Sequence, residues 1–253
     1  MGYYIVEILL FIVDILFESD FRKNHVKPLK EKDVKLIEKN CHYYNKLPEK
    51  LKRKFLKRVA FLINDYEIHI RDSEEENRKL DVLIAMNQAK LSFGLDCYDL
   101  GDFDHILMYP DEFTSPYTGE KQIGETNPGL RTIAMAKDDF LDGMSNKTDN
   151  LNLGLHELAH ALFYTMQKSY DNCGKKFMEN YKSLMKTVEE NKEMIIKEKY
   201  FRAYLFYTEY ETFPVLVEHF FETPEIFKSK YPEIYDKMCL LLQQNPLKLA
   251  ESK

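Results

Sequence analysis

The residues best suited to chemistry lie in one short run, His156-Glu157-Leu158-Ala159-His160. In an α-helix, residues four positions apart share a face and are separated by about 6 Å along the axis. His156 and His160 can therefore direct two imidazole nitrogens at one ion, as zinc ligands do. Glu157 follows about 100° further around the helix, where a general base for an activated water belongs. The competing interpretation is a helix that carries two histidines and binds no metal.

A third ligand must come from a later segment, because catalytic zinc sites usually combine three protein groups with a water. Glu211 is one candidate, but Thr208-x-x-Glu211 also fits a capping box, in which the carboxylate would bond to a backbone N–H. Spacing alone does not choose between ligand and cap. It also does not choose among the downstream candidates, which are Asp171, Glu209, Glu211, Glu218 and His219.

A longer pattern occupies the C-terminal third. The run from Tyr204 to Phe221, YLFYTEYETFPVLVEHFF, resembles the signature of the MtfA-like zinc peptidases, the DgsA anti-repressor family. These are bacterial relatives of the catalytic domain of lethal-factor-type toxins. Further landmarks of the same family occur between about Cys41 and Leu247: Tyr43-Tyr44-x-x-Leu47-Pro48, Arg58-Val59-x-Phe61-Leu62, Phe93-Gly94-Leu95, Tyr109-Pro110 and Asn152-x-Gly154-Leu155-His156-Glu157.

The resemblance implies roles for particular residues. It implies one catalytic Zn²⁺ ion, with Glu211 as the third ligand beside His156 and His160. It implies that Glu218 orients a ligating imidazole through the second ring nitrogen. It also implies that Tyr204 donates a hydrogen bond to the oxyanion of a tetrahedral intermediate.

Two functions follow as alternatives. The first is a zinc-dependent peptidase, in which Glu157 takes a proton from the water that attacks a peptide or protein substrate. Such a substrate could pair with an exposed strand edge, and residues 131–137 are the predicted edge. The alternative is a metal-stabilised regulatory module that binds another protein, because relatives of this family are linked to binding a transcriptional repressor. Such a module would show little or no proteolysis.

Hydrophobic spacing and turn residues predict the elements that position these side chains. The H-E-x-x-H helix is predicted at 151–168, after Asp149 and Asn150, which favour helix N-termini. The region 111–129 is predicted to be a long exposed loop. Other predicted helices cover 30–46, 51–63, 82–93, 177–200 and the chain from about 208, and predicted strands lie at 68–70, 105–109 and 131–137. The expected class is α+β of the zincin type, mainly helical with a small mixed sheet.

Composition limits the remaining possibilities. With 253 residues, 44% hydrophobic and 31% charged, the chain is expected to form one catalytic domain at 29–253 after an apolar helix at 1–28. A net charge of −6 argues against nucleic acid as the partner. Residues 3–17 are shorter than the roughly 20 that a membrane span needs, and they contain two acids. We therefore expect a cytoplasmic protein, with membrane contact through 3–17 as the less favoured alternative.

The cysteines give one further expectation. Cys41, Cys97, Cys173 and Cys239 are far apart and form no C-x-x-C pair. We therefore expect free, mostly buried thiols in a reducing compartment.

Overall fold

The computed structural model describes residues 28–64, 67–70, 78–101, 103 and 105–249. The apolar helix predicted at 1–28, including the segment 3–17, lies outside the described residues apart from residue 28. In the ranges that are described, no helix combines the length and the apolar character needed to cross a membrane.

The described chain is mostly helical, as predicted. The helices are α1 (Glu31–Asn40), α2 (His42–Asn45), α3 (Glu49–Leu62), α4 (Arg78–Leu91), α5 (Lys137–Ser145), α6 (Leu153–Lys168), α7 (Asn172–Glu190), α8 (Lys192–Glu198), a 3₁₀ helix (Ala203–Phe206), α9 (Thr212–Glu222), α10 (Pro224–Lys230) and α11 (Pro232–Leu242). The strands are β1 (Glu67–Ile70), β2 (His105–Tyr109), β3 (Phe113–Thr114), β4 (Lys121–Gln122), β5 (Gly124–Asn127) and β6 (Thr132–Ala136).

Four of these strands form a small mixed sheet in the order β1-β2-β6-β5. The strands β1, β2 and β6 are parallel, with Ile106 opposite Ile133 in the two central strands. Both isoleucines are fully buried, as central strands require. The strand β5 is antiparallel to β6 and places Gly124 opposite Met135. The predicted small mixed sheet is therefore confirmed.

Two predictions about this region are wrong. The segment 111–129 is not a structureless loop, because it contains β3, β4 and β5. The strand predicted at 131–137 is not an edge, because β6 pairs with β2 on one side and β5 on the other. The edge of the described sheet nearest α6 is β5. Local patterns missed this strand because Gly-Glu-Thr-Asn has no apolar alternation.

The helix α6 lies in the core and begins where its sequence provides a cap. Asn152 precedes it, and its side-chain oxygen accepts a hydrogen bond from the Leu155 N–H at 3.0 Å. Leu155, Leu158 and Leu162 are fully buried. Gly154 lets α6 approach its neighbour, because a Cβ at this position would lie 2.6 Å from the Phe140 ring. This packing fixes the helix that carries the H-E-x-x-H run.

Pro214 does not disturb the second helix of interest, α9. It is the third residue of the helix, where the backbone N–H has no partner within the helix in any case. The ring therefore removes no hydrogen bond from the helix. The segment between α8 and α9, residues 199–211, contains only the short 3₁₀ helix.

The cysteines differ from expectation. Cys97 and Cys173 form a disulfide across 76 residues, so the prediction of free thiols is wrong for this pair. Cys41 is free and buried, and Cys239 is free and half-buried.

Candidate metal centre

Three side chains from two distant segments converge beside α6. The ligand atoms of His156, His160 and Glu211 all lie within 4.8 Å of one another. Glu211 Oε2 is 3.0 Å from His156 Nε2 and 3.5 Å from His160 Nε2. Ligands at about 2.0–2.1 Å from a tetrahedral ion are separated by about 3.3 Å, so these spacings fit a zinc-sized ion. The donor set of two imidazoles and one carboxylate is also one that zinc accepts.

The charges of the cluster are mutually dependent. Burial would raise the pKa of Glu211, but hydrogen bonds with His156 and His160 hold it well below its usual range. Burial would lower the pKa of His156, but hydrogen bonds with Glu211 and Glu218 raise it. A metal ion binds neutral imidazole, so it must displace a proton from His156. We therefore expect metal affinity to fall as the pH falls.

The position of Glu211 bears on the two interpretations that its spacing left open. The helix α9 begins at Thr212, so Thr208 is not at its N-cap. The Glu211 side chain forms no capping hydrogen bond and lies against the two histidines. The geometry therefore favours the ligand over the cap.

A buried carboxylate lies behind His156. Glu218 lies in α9, about two helical turns after Glu211, and its side chain is only 1% exposed. Its Oε2 is 3.4 Å from His156 Nδ1, and its Oε1 accepts a hydrogen bond from the Asn152 N–H at 2.9 Å. Glu218 therefore connects α9 to the first turn of α6 and to the imidazole at once.

Arg202 completes this group, and sequence patterns did not reveal it. Its Nη2 donates to Glu218 Oε2 at 2.7 Å and lies 3.1 Å from His156 Nδ1. A guanidinium only donates, so a bond to Nδ1 would require the proton of neutral imidazole to sit on Nε2, which then could not bind metal. Metal binding therefore requires that Arg202 and the Nδ1–H both donate to Glu218.

Glu157 points away from this group, toward the sheet. The Thr126 hydroxyl of β5 donates to its Oε2 at 2.7 Å. Burial raises the pKa of Glu157, and the nearby His160 and His156 lower it in part. A carboxylate beside the ligand cluster with a raised pKa is suited to accept and release a proton.

Tyr204 lies at the open side of the cluster. Its ring centroid is 6.1 Å from that of His156, and the side chain is partly exposed. Burial of part of the ring and the nearby Glu211 and Glu157 carboxylates raise the pKa of its phenol to about 12. The hydroxyl therefore stays protonated near neutral pH.

The other candidate ligands lie elsewhere. Asp171 caps α7 by accepting a hydrogen bond from the Gly174 N–H at 2.8 Å. Glu209 is exposed and lines a groove of about 720 Å³ between α6, α7 and the 206–212 segment. His219 is buried against the rings of Tyr200 and Phe201 at 4.8 and 4.7 Å.

The class of protein follows from comparison with known families. Residues 18–243 match the family Peptidase_M90, described as glucose-regulated metallo-peptidase M90. The match covers most of the chain, so the chain belongs to this family. The resemblance noted in the sequence is thereby confirmed, and the family is of the metallopeptidase type.

Individual relatives are similar at modest identity. Mlc titration factor A of Escherichia coli O7:K1 (strain IAI39 / ExPEC) is 27% identical over 180 residues, which span 62% of this chain and 64% of that protein's length. Proteins of the same name from Yersinia pestis (strain Pestoides F) and Yersinia pseudotuberculosis serotype O:1b (strain IP 31758) are each 24% identical over 193 residues. Those alignments span 66% of this chain and 70% of each relative.

Proposed function

We propose that this chain is a zinc-dependent peptidase of the zincin type, with His156, His160 and Glu211 as the metal ligands. The observation that carries the proposal is the convergence of these three side chains at separations suited to a tetrahedral ion. Membership in a metallopeptidase-type family supports it. A bound zinc ion would polarise a water and bring its pKa toward about 7.

The protein side chains would then share the proton transfers. Glu157 takes a proton from the attacking water and delivers it to the leaving amine. Tyr204 donates its hydroxyl proton in a hydrogen bond to the oxyanion. Glu218 holds the Nδ1–H of His156, so that Nε2 faces the ligand cluster.

The substrate would bind in extended form along β5. This strand is at one edge of the described sheet and pairs only with β6 within it. An extended peptide can add to such an edge through main-chain hydrogen bonds. The strand also contacts α6, so a peptide there would run past Glu157.

Glu157→Gln tests the peptidase directly. The substitution keeps the size of the side chain and removes the proton acceptor, so we expect loss of at least about a hundredfold in cleavage rate. The measurement is hydrolysis of a quenched fluorescent peptide library by zinc-loaded full chain, with metal content determined in parallel. Glu209→Gln, at an exposed position, is the matched control and should cleave at the wild-type rate. Wild-type protein that holds one zinc per chain and cleaves no peptide would contradict the proposal.

A second candidate function rests on the names of the relatives. A titration factor for Mlc is a protein that binds Mlc, so this chain could be a metal-stabilised module with a regulatory protein partner. Binding of the full chain to purified Mlc, measured by calorimetry, tests it. A binding module should keep its affinity in Glu157→Gln, whereas peptide cleavage should be lost in that variant.

A further inference from the structure

Two residues of the strand β5 contact the general base of the proposed peptidase. Thr126 Oγ1 lies 2.7 Å from Glu157 Oε2 and 3.0 Å from the Glu157 backbone oxygen. Gly124, two residues earlier on the same face of the strand, lies against Glu157 Oε1. These contacts involve neither a candidate metal ligand nor Tyr204.

The hydroxyl of Thr126 has one proton to donate, and its two acceptors differ. The backbone oxygen of Glu157 is neutral and lies within α6, where the helical hydrogen bond already uses it. The carboxylate oxygen is closer, and a general base must be ionised to accept a proton, so this hydrogen bond is the charge-assisted and stronger one. The proton of Thr126 therefore goes to Oε2 of Glu157.

Gly124 lies beside the other carboxylate oxygen of Glu157. A Cβ at this position would overlap Oε1 of Glu157 and would lie 2.7 Å from Leu153 Cδ1. The absence of a side chain thus leaves room for Oε1 beside the strand. One oxygen is held by a donor, and the other lies in space that only glycine provides.

We propose that Thr126 is a positioning residue, whose hydroxyl binds Oε2 of Glu157 and leaves Oε1 as the atom that accepts the proton from water. This inference rests on the proposed peptidase function. It also implies that one strand, β5, would both bind the substrate main chain and orient the base.

Three variants of the full chain test the proposal. Thr126→Val keeps the shape and the strand propensity but removes the hydroxyl, whereas Thr126→Ser keeps the hydroxyl. Thr132→Val makes the same change in the neighbouring strand β6, and none of the described contacts of Glu157 involves residue 132. We expect Thr126→Val to lower kcat about tenfold with KM and zinc content unchanged, and Thr126→Ser and Thr132→Val to stay within about threefold of wild type.

The readout that does not depend on turnover is the position of the Glu157 carboxylate in crystal structures of wild type and Thr126→Val. We expect it to rotate in the variant. Wild-type kcat in Thr126→Val with an unmoved carboxylate would overturn the proposal, as would a Thr126→Ser variant as slow as Thr126→Val. Failure of the peptidase proposal is a separate result: wild type itself would cleave no peptide, and the carboxylate position would still decide the role of Thr126.

Discussion

The two sides of the candidate metal centre are built differently. On the inner side, the buried Glu218 connects the first turn of α6, His156 and Arg202. On the outer side, residues 204–210 expose three aromatic side chains, with Tyr204 42%, Tyr207 71% and Tyr210 43% exposed. The inner side is a hydrogen-bonded network around one buried carboxylate, whereas the outer side presents rings to solvent.

Because of this difference, we expect substitutions on the two sides to change different properties of the protein. Removing a partner from a buried charged network leaves other groups without solvation, which costs free energy of folding. Removing a hydroxyl from a partly exposed ring costs little, because water replaces the lost contact. We therefore expect inner substitutions to lower stability and metal binding together, and outer substitutions to change turnover alone.

The largest expected effect is that of Glu218→Ala. It removes the acceptor of the Asn152 N–H and of Arg202. The Arg202 side chain is 29% exposed, so water can replace only part of the interaction that it loses. We expect the free energy of unfolding to fall by about 3 kcal/mol and Tm by about 6–12 °C. Thermal and denaturant unfolding measure it, with zinc affinity expected to fall about 10–100-fold.

Glu209→Ala is the control for this comparison, since it removes an exposed carboxylate from the outer side. Its change in stability should stay within about 0.5 kcal/mol. Equal losses in Glu218→Ala and Glu209→Ala would show that the two sides do not differ.

The second prediction concerns His219 of α9, which packs against Tyr200 and Phe201. Burial and the charge of Arg202 lower its pKa to about 3. At pH above about 6.5 the imidazole is neutral in both folded and unfolded chains, so it adds no pH dependence. Between about pH 6.5 and 3 only the unfolded chain binds the proton, so stability falls as the pH falls.

His219→Leu isolates this contribution. The difference in unfolding free energy between variant and wild type should change by about 1.6 kcal/mol between pH 6.5 and pH 5, in favour of the variant. Denaturant unfolding at the two pH values measures it, and other titrating groups cancel in the difference. A difference that is independent of pH would mean that His219 is solvated in the folded chain.

Several strands and helices were predicted from the sequence alone. Strand 105–109 is observed as predicted, strand 131–137 is observed as Thr132–Ala136, and the helix predicted at 151–168 is observed as Leu153–Lys168. These elements depend on local periodicity and capping. The predicted helix at 177–200 is instead two helices that meet at Asn191.

What the sequence did not reveal depends on contacts between distant segments. Arg202 gains its role only because folding brings Glu218 and His156 to it. Thr126 lies in a short polar strand, and the position of its hydroxyl depends on how β5 packs against α6. The Cys97–Cys173 pair is separated by 76 residues. Local propensity contains no information on such pairings.

The smallest of these effects is expected on the outer side, at Tyr204. Tyr204→Phe removes only the hydroxyl, which is protonated because the pKa of the phenol is raised to about 12. We expect kcat for peptide cleavage to fall about tenfold, while unfolding free energy and zinc content stay unchanged. Tyr207→Phe is the matched control, because Tyr207 stacks on Tyr204 at 5.3 Å and is more exposed. If both variants cleave at the wild-type rate, the aromatic side of the centre contributes no donor to the reaction. If Tyr204→Phe instead unfolds more easily than wild type, the outer side shares the structural role assigned to the inner one.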